Sequence, residues 1–139
     1  MNHKSRGYAL IINNRDFNSG THMSSRKGTD QDAQSLYNQL VGPMGFDKTR
    51  VKVFNNVTAC NMKKLCTSLV DHKDCDMFFC AVLSHGDSSY VYGVDGPLSL
   101  SSLLEPFKAD VCPTLGGKPK VFLIQVGLLG YLRHVGETG

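Results

Sequence analysis

What this sequence lacks already excludes several classes of protein. No apolar run approaches the ~20 residues that a membrane-spanning helix needs, and no long apolar stretch precedes a cleavage site near its start. Its five cysteines form no Cys-x-x-Cys pair, and their odd number leaves at least one thiol free. We therefore expect a cytoplasmic protein with reduced, mostly buried cysteines and no secretory signal.

The chain also lacks a large excess of charge of one sign. Its 15 basic and 12 acidic residues leave a net charge of +3, which is too small to indicate a nucleic-acid or anionic-membrane partner. It has 139 residues, 41% of them apolar and none of them tryptophan, a composition typical of one soluble domain. A domain of this size buries roughly 68–70% of its unfolded surface, which is enough for a hydrophobic core.

Apolar runs alternate along the chain with segments that have apolar residues at helical spacing. The runs predict strands at 8–12, 51–54, 77–83 and 121–125, and residues 90–97 predict a hairpin with an Asp95-Gly96 turn. Helices are expected after a cap at Thr29 or Asp30, after Thr58 and after Ser99, where a side-chain oxygen can accept from a free N–H. This alternation predicts an α/β fold with a mostly parallel sheet and helices on both faces.

Two of the predicted strands end in residues that can take part in chemistry. The run 77–83 is followed by Ser84-His85-Gly86, and the last run closes on Gln125. Ligands of open parallel sheets gather at the carboxyl ends of the strands, so we expect His85 and Gln125 to lie at a ligand site.

Several separated segments, in a fixed order, resemble the caspases, the cysteine peptidases that cut after aspartate. The resemblance runs from about Gly7 to Gln125, nearly the whole chain. The matching segments are Leu10-Ile11-Ile12-Asn13-Asn14, Ser25-Arg26-Lys27-Gly28-Thr29-Asp30, Leu83-Ser84-His85-Gly86, Tyr92-Gly93, Gly117-Lys118-Pro119-Lys120 and Ile124-Gln125. It implies the large catalytic subunit of a caspase of cell-death or inflammatory signalling. The short segment before Tyr8 is similar to that of an effector caspase.

The resemblance also implies roles for individual residues. His85 would act as general acid and base, and the Gly86 N–H would help to bind the oxyanion. Arg26 and Gln125 would line the pocket for the substrate aspartate, because a planar guanidinium can hold a carboxylate through two parallel hydrogen bonds.

The chain departs from the caspase pattern where the nucleophile should stand. Caspases carry that cysteine two residues after the glutamine, within a Gln-Ala-Cys motif, and here the position is Gly127. We therefore predict a caspase-like protein that is catalytically inactive. Its predicted organisation is a short tail at 1–7, a caspase large-subunit-like domain at 8–125 and a divergent tail at 126–139.

The family's small subunit, which supplies further strands, has no counterpart after Gln125, so we expect a sheet that is incomplete at one edge. An apolar strand edge left open there would be an association site. The expected partners are protein substrates or other caspase chains, and the alternative function is a non-catalytic truncated isoform that binds and regulates caspases.

No other residue takes the place of the missing thiol. Cys80 lies inside a predicted strand, Cys60 and Cys66 in a helix, and Cys112 in a loop. A zinc site built from Cys66, His72, Cys75 and Cys80 is a minor alternative, because these spacings do not match the usual structural zinc pairs. We expect no metal and no cofactor.

Overall fold

The structure is a computed structural model. It describes residues 5–67, 75–87, 89–105, 120–126 and 129–134. These ranges contain seven strands and three α-helices. The strands are β1 Ser5–Asn13, β2 Val51–Asn55, β3 Cys75–Ser84, β4 Tyr90–Gly93, β5 Gly96–Ser99, β6 Lys120–Val126 and β7 Leu129–His134. The helices are α1 Thr29–Val41, α2 Ala59–Thr67 and α3 Leu100–Leu104, with short 3-10 turns at Ser19–Thr21 and Lys48–Arg50.

The main sheet has the strand order β2-β1-β3-β6-β7. Its first four strands are parallel, so β1, β3 and β6 end at the same edge of the sheet. The register places Leu83 of β3 between Asn13 of β1 and Gln125 of β6. The carboxyl ends of these three strands therefore lie side by side.

Alternate residues of each strand face opposite layers, which gives the sheet two hydrophobic cores. One core joins α1 to Ala9 and Ile11 of β1, through Ala33 and Leu40. The other joins Met62 of α2 and Leu103 of α3 to the opposite face of the sheet. Successive side chains of a strand point to opposite faces of the sheet, which explains why the two cores alternate along β1 and β3. The predicted α/β architecture with helices on both faces is confirmed. No helix within the described ranges is long and apolar enough to cross a membrane.

The β4–β5 hairpin is held against the start of α2. The Asp95 carboxylate accepts a hydrogen bond of 2.9 Å from the Ala59 N–H, one of the donors that a helix leaves without a partner in its first turn. Thr58 also caps this helix, because its hydroxyl accepts from the Asn61 N–H at 3.3 Å. The hairpin is confirmed, but its turn lies at Val94-Asp95, one residue before the predicted position.

Two predictions on local structure are wrong. Neither Thr29 nor Asp30 caps α1: the N-cap is Gly28, with φ of 90°, because both side chains are committed elsewhere. The edge of β6 is not open, because β7 pairs along it in antiparallel register from Val121↔His134 to Val126↔Leu129. The sequence 126–139 gave no strand signal, so this pairing was not predicted.

The domain boundaries stay a prediction. β1 begins at Ser5, inside the segment assigned to the first tail, and β7 lies inside the segment assigned to the second.

The close approach of β4 to α2 gives a stability prediction. A Cβ added at Gly93 would lie 2.1 Å from the Ala59 nitrogen and 2.6 Å from the Thr58 carbonyl carbon, both backbone atoms. We expect Gly93→Ala to lower the free energy of unfolding in urea by about 1–3 kcal/mol or more, as overpacking does. Gly20→Ala, where no atom lies within 4 Å, is the matched control and should change it by less than about 0.5 kcal/mol. Equal effects of the two substitutions would contradict this account of the contact.

Candidate active site

A cavity of about 310 Å³ opens at the carboxyl ends of the parallel strands. It brings together three of the residues singled out from the sequence, Arg26, His85 and Gln125. The complete lining is Ser25, Arg26, Lys27, Thr29, Asp32, His85 and Gln125. Its wall therefore contains two permanent cations and one carboxylate, which favours an anionic ligand.

His85 is fixed by the loop that follows β1. Its Nε2 lies 2.8 Å from the backbone carbonyl oxygen of Ser24, and its ring stacks at a tilt against Phe17, with centroids 4.9 Å apart. A carbonyl oxygen can accept but cannot donate, so Nε2 carries the proton in this contact. The other ring nitrogen, Nδ1, is left as the group that can exchange a proton in the neutral imidazole.

Gly86 stands where a side chain would collide with the hairpin. A Cβ at this position would lie 2.3 Å from the carbonyl oxygen of Tyr90, and φ is +156°. The segment forms an antiparallel bridge to Val91 through the Asp87 N–H to the Tyr90 carbonyl, and the Tyr92 N–H to the His85 carbonyl. These two bonds do not use the Gly86 N–H. The close approach explains why glycine is required here.

Arg26 lies half-buried in the wall of the cavity. Its Nη1 donates to the Thr29 hydroxyl at 2.8 Å and to the Asn14 carbonyl at 3.3 Å. Burial lowers the pKa of the Arg26 guanidinium, and the Asp32 carboxylate acts in the opposite direction. An arginine begins from so high a pKa that the group keeps its charge, so the cavity presents a partly desolvated cation.

Gln125 reaches the cavity from the neighbouring strand. It pairs in register with Leu83, two residues before His85, which explains how residues distant in sequence meet. A neutral amide can both donate and accept hydrogen bonds, so it suits one oxygen of a carboxylate beside the charged Arg26.

The described cysteine side chains do not reach this cavity. Cys80 is fully buried in the middle of β3, within a hydrophobic core, and Cys60 is exposed on α2. Gly127, Cys112 and His72 lie outside the described residues, and the side chains of Cys66 and Cys75 are not among those described. The zinc alternative therefore stays untested, and no group of three metal-binding side chains occurs in the described part of the chain.

Sequence reasoning missed the residues that hold the site together. Phe17 and the Ser24 carbonyl fix His85, and Thr29 contacts Arg26. Asn13 and Asn14 directly follow the predicted strand at 8–12, and their burial was not predicted, although both are buried. A pair of amides directly after an apolar strand is a signal that could have found them, because buried polar groups need partners.

Comparison with known proteins agrees with this arrangement. The family model described as Caspase domain matches residues 6–127. The chain belongs to the caspase family. It is 40% identical to caspase-3 of Mus musculus over 127 residues, which cover 90% of this chain and 44% of that protein. Caspase-7 of Gallus gallus is also 40% identical, with 90% of this chain and 40% of that protein covered.

A third caspase matches over a similar share of the chain. Caspase-8 of Mus musculus is 38% identical over 135 residues, which cover 90% of this chain and 27% of that protein. The chain thus spans less than half the length of each of these three relatives. Family membership confirms the fold class expected from the sequence.

The Ser24 contact predicts the tautomer of His85. In alkaline solution, ¹H–¹⁵N spectra of the imidazole should show His85 with its proton on Nε2 and Nδ1 unprotonated, because the carbonyl only accepts. The Nε2 proton should exchange with water more slowly than that of the exposed His22, which serves as the reference. His85→Gln assigns the signals, and a predominance of the Nδ1–H form in His85 would contradict the geometry.

Proposed function

We propose that this chain is a caspase-type large subunit of cell-death signalling that binds aspartate-containing protein segments without cleaving them. The observation that carries the proposal is the convergence of Arg26, His85 and Gln125 on one cavity. The proposed place of action is the cytoplasm, and the proposed partners are protein substrates or other caspase chains.

The chemistry of the cavity supports a carboxylate ligand. The Arg26 guanidinium provides a charged donor and the Gln125 amide a neutral one, the pair that the caspase resemblance assigns to the substrate aspartate. Lys27 adds a second positive charge to the wall. The Asp32 carboxylate in the same wall disfavours a second anion, so the cavity suits one acidic side chain rather than a polyanion.

The absence of cleavage follows from the residue at position 127. Peptide hydrolysis by a caspase requires a thiolate that attacks the scissile carbonyl while the histidine handles the proton. Glycine has no side-chain atom that can attack, and no described cysteine lines the cavity. His85 and Gly86 would still provide the groups for proton transfer and oxyanion binding, but no nucleophile would be present.

Peptide binding tests the role of the cavity. A fluorescent peptide that presents aspartate should bind with a lower Kd than the same peptide with asparagine, measured by anisotropy. Arg26→Gln should reduce this preference roughly 10- to 100-fold, because a charged hydrogen bond is worth ~1.5–3 kcal/mol. Lys48→Gln removes an equal charge outside the cavity and is the matched control. An unchanged preference in Arg26→Gln would contradict the proposed pocket.

Turnover tests the proposed inactivity. The full chain, incubated with a fluorogenic aspartyl peptide, should release no product above the buffer rate, since loss of the nucleophile costs on the order of 10⁶ in kcat in a serine peptidase. His85→Ala is the control for contaminating peptidases. Turnover that His85→Ala abolishes would show that the chain is an active enzyme.

The alternative, a regulator that binds caspases through a sheet edge, stays a second hypothesis. β7 pairs along β6, so the strand edge at Gln125 is occupied, and in the described part of the chain the sheet ends at β7 instead. The peptide cavity is therefore the feature on which we base the function.

A further inference from the structure

A chain of buried hydrogen bonds lies directly behind the Arg26 guanidinium. Nη1 of Arg26 donates to the Thr29 hydroxyl at 2.8 Å, and that hydroxyl donates to Oδ1 of Asn13 at 2.7 Å. Thr29 is 2% exposed and Asn13 is 1% exposed, so water does not compete for these bonds. Buried polar groups of this kind act as a unit, since each loses its partner if one is removed.

The direction of every bond in this series of hydrogen bonds is determined by the groups at its two ends, the Asp30 carboxylate and the Arg26 guanidinium. Asn13 Nδ2 donates to the Asp30 carboxylate at 2.7 Å and to Asn55 Oδ1 at 3.0 Å, so its amide group faces Asp30 and its Oδ1 faces Thr29. A carboxylate only accepts and a guanidinium only donates. The Thr29 hydroxyl must therefore donate to Asn13 and accept from Arg26.

This arrangement commits one end of the guanidinium and leaves the rest for a ligand. Nη1 has two N–H groups, and its two bonds, to Thr29 and to the Asn14 carbonyl, use both. Nε and Nη2 make no hydrogen bond within the described part of the chain. The Nε–H and one Nη2–H point along one side of the planar guanidinium, where these two groups can hold a carboxylate through two parallel bonds.

We propose that Thr29 and Asn13 are positioning residues that set the orientation of the Arg26 guanidinium, so that it holds an aspartate carboxylate side-on through Nε and Nη2. The proposal rests on the proposed function, because it concerns how the same cavity selects its ligand. The Asp30 carboxylate acts through this series of hydrogen bonds, because it fixes the orientation of the Asn13 amide.

The test compares Thr29→Val with Thr29→Ser in the full chain. Valine keeps the shape of threonine and removes the hydroxyl, whereas serine keeps the hydroxyl. We expect Thr29→Val to reduce the preference for the aspartate over the asparagine peptide roughly tenfold, the loss of one charged hydrogen bond. Thr29→Ser should keep the preference within about twofold. The Kd of the asparagine peptide should stay constant in both, which a general loss of structure would not allow.

A double variant separates an effect on the orientation of Arg26 from an effect on packing. In the Arg26→Gln background, Thr29→Val should cause no further loss of preference, because the group that it positions is absent. A preference unchanged in Thr29→Val, or a further tenfold loss in the double variant, would overturn the proposal.

A second measurement keeps the proposal testable if the peptides do not bind. ¹⁵N spectra of the arginine guanidinium groups should show slow rotation and separate Nη1 protons for Arg26, with loss of that restriction in Thr29→Val and its retention in Thr29→Ser. Restricted rotation without peptide binding would refute the proposed function and support the positioning role. Free rotation in the unmodified protein would overturn the positioning role.

Discussion

Two buried asparagines at the end of β1 are the constraint on which the cavity depends. Oδ1 of Asn14 accepts from the Val57 N–H at 2.8 Å, and its Nδ2 donates to the Tyr92 carbonyl at 3.0 Å. Its backbone N–H donates to the Leu83 carbonyl at 2.8 Å. One residue thus ties the segments before α2, in β4 and in β3 to the end of β1. An amide in a low-dielectric interior must satisfy its polar atoms, so these segments are fixed together.

The groups of the site are held by contacts that do not need a reactive thiol. His85 is fixed by the Ser24 carbonyl and Phe17, and Arg26 by Thr29 and the Asn14 carbonyl. A binding cleft can therefore keep its shape when the nucleophilic position changes. Under the proposed function, this separation of scaffold and chemistry would let a caspase fold recognise a peptide without cutting it.

The sequence predicted the parts that depend on local pattern and topology. Unbroken apolar runs gave β1, β3 and β6, because strands buried on both faces need no alternation. The meeting of His85 and Gln125 followed from parallel strands that end at one edge. The role of Thr29 was not predicted, since its hydroxyl could cap a helix or join a distant amide, and tertiary contacts decide between the two. β7 was not predicted because the glycine-rich segment 126–139 has no hydrophobic period. The pairing of β7 depends on the presence of β6.

The antiparallel β7 has a consequence for how the chain reaches its folded state. Two residues separate β6 from β7, whereas the pairing of Leu10 with Cys80 joins residues 70 positions apart. Hairpins close in about 1–10 μs, and long-range parallel pairing is slower because it must first overcome the entropy of loop closure. We expect the β6–β7 ribbon to form early and to occupy the backbone groups along one side of β6 while the rest of the sheet assembles. A nascent chain would then present less unpaired strand to its neighbours, which reduces its tendency to aggregate.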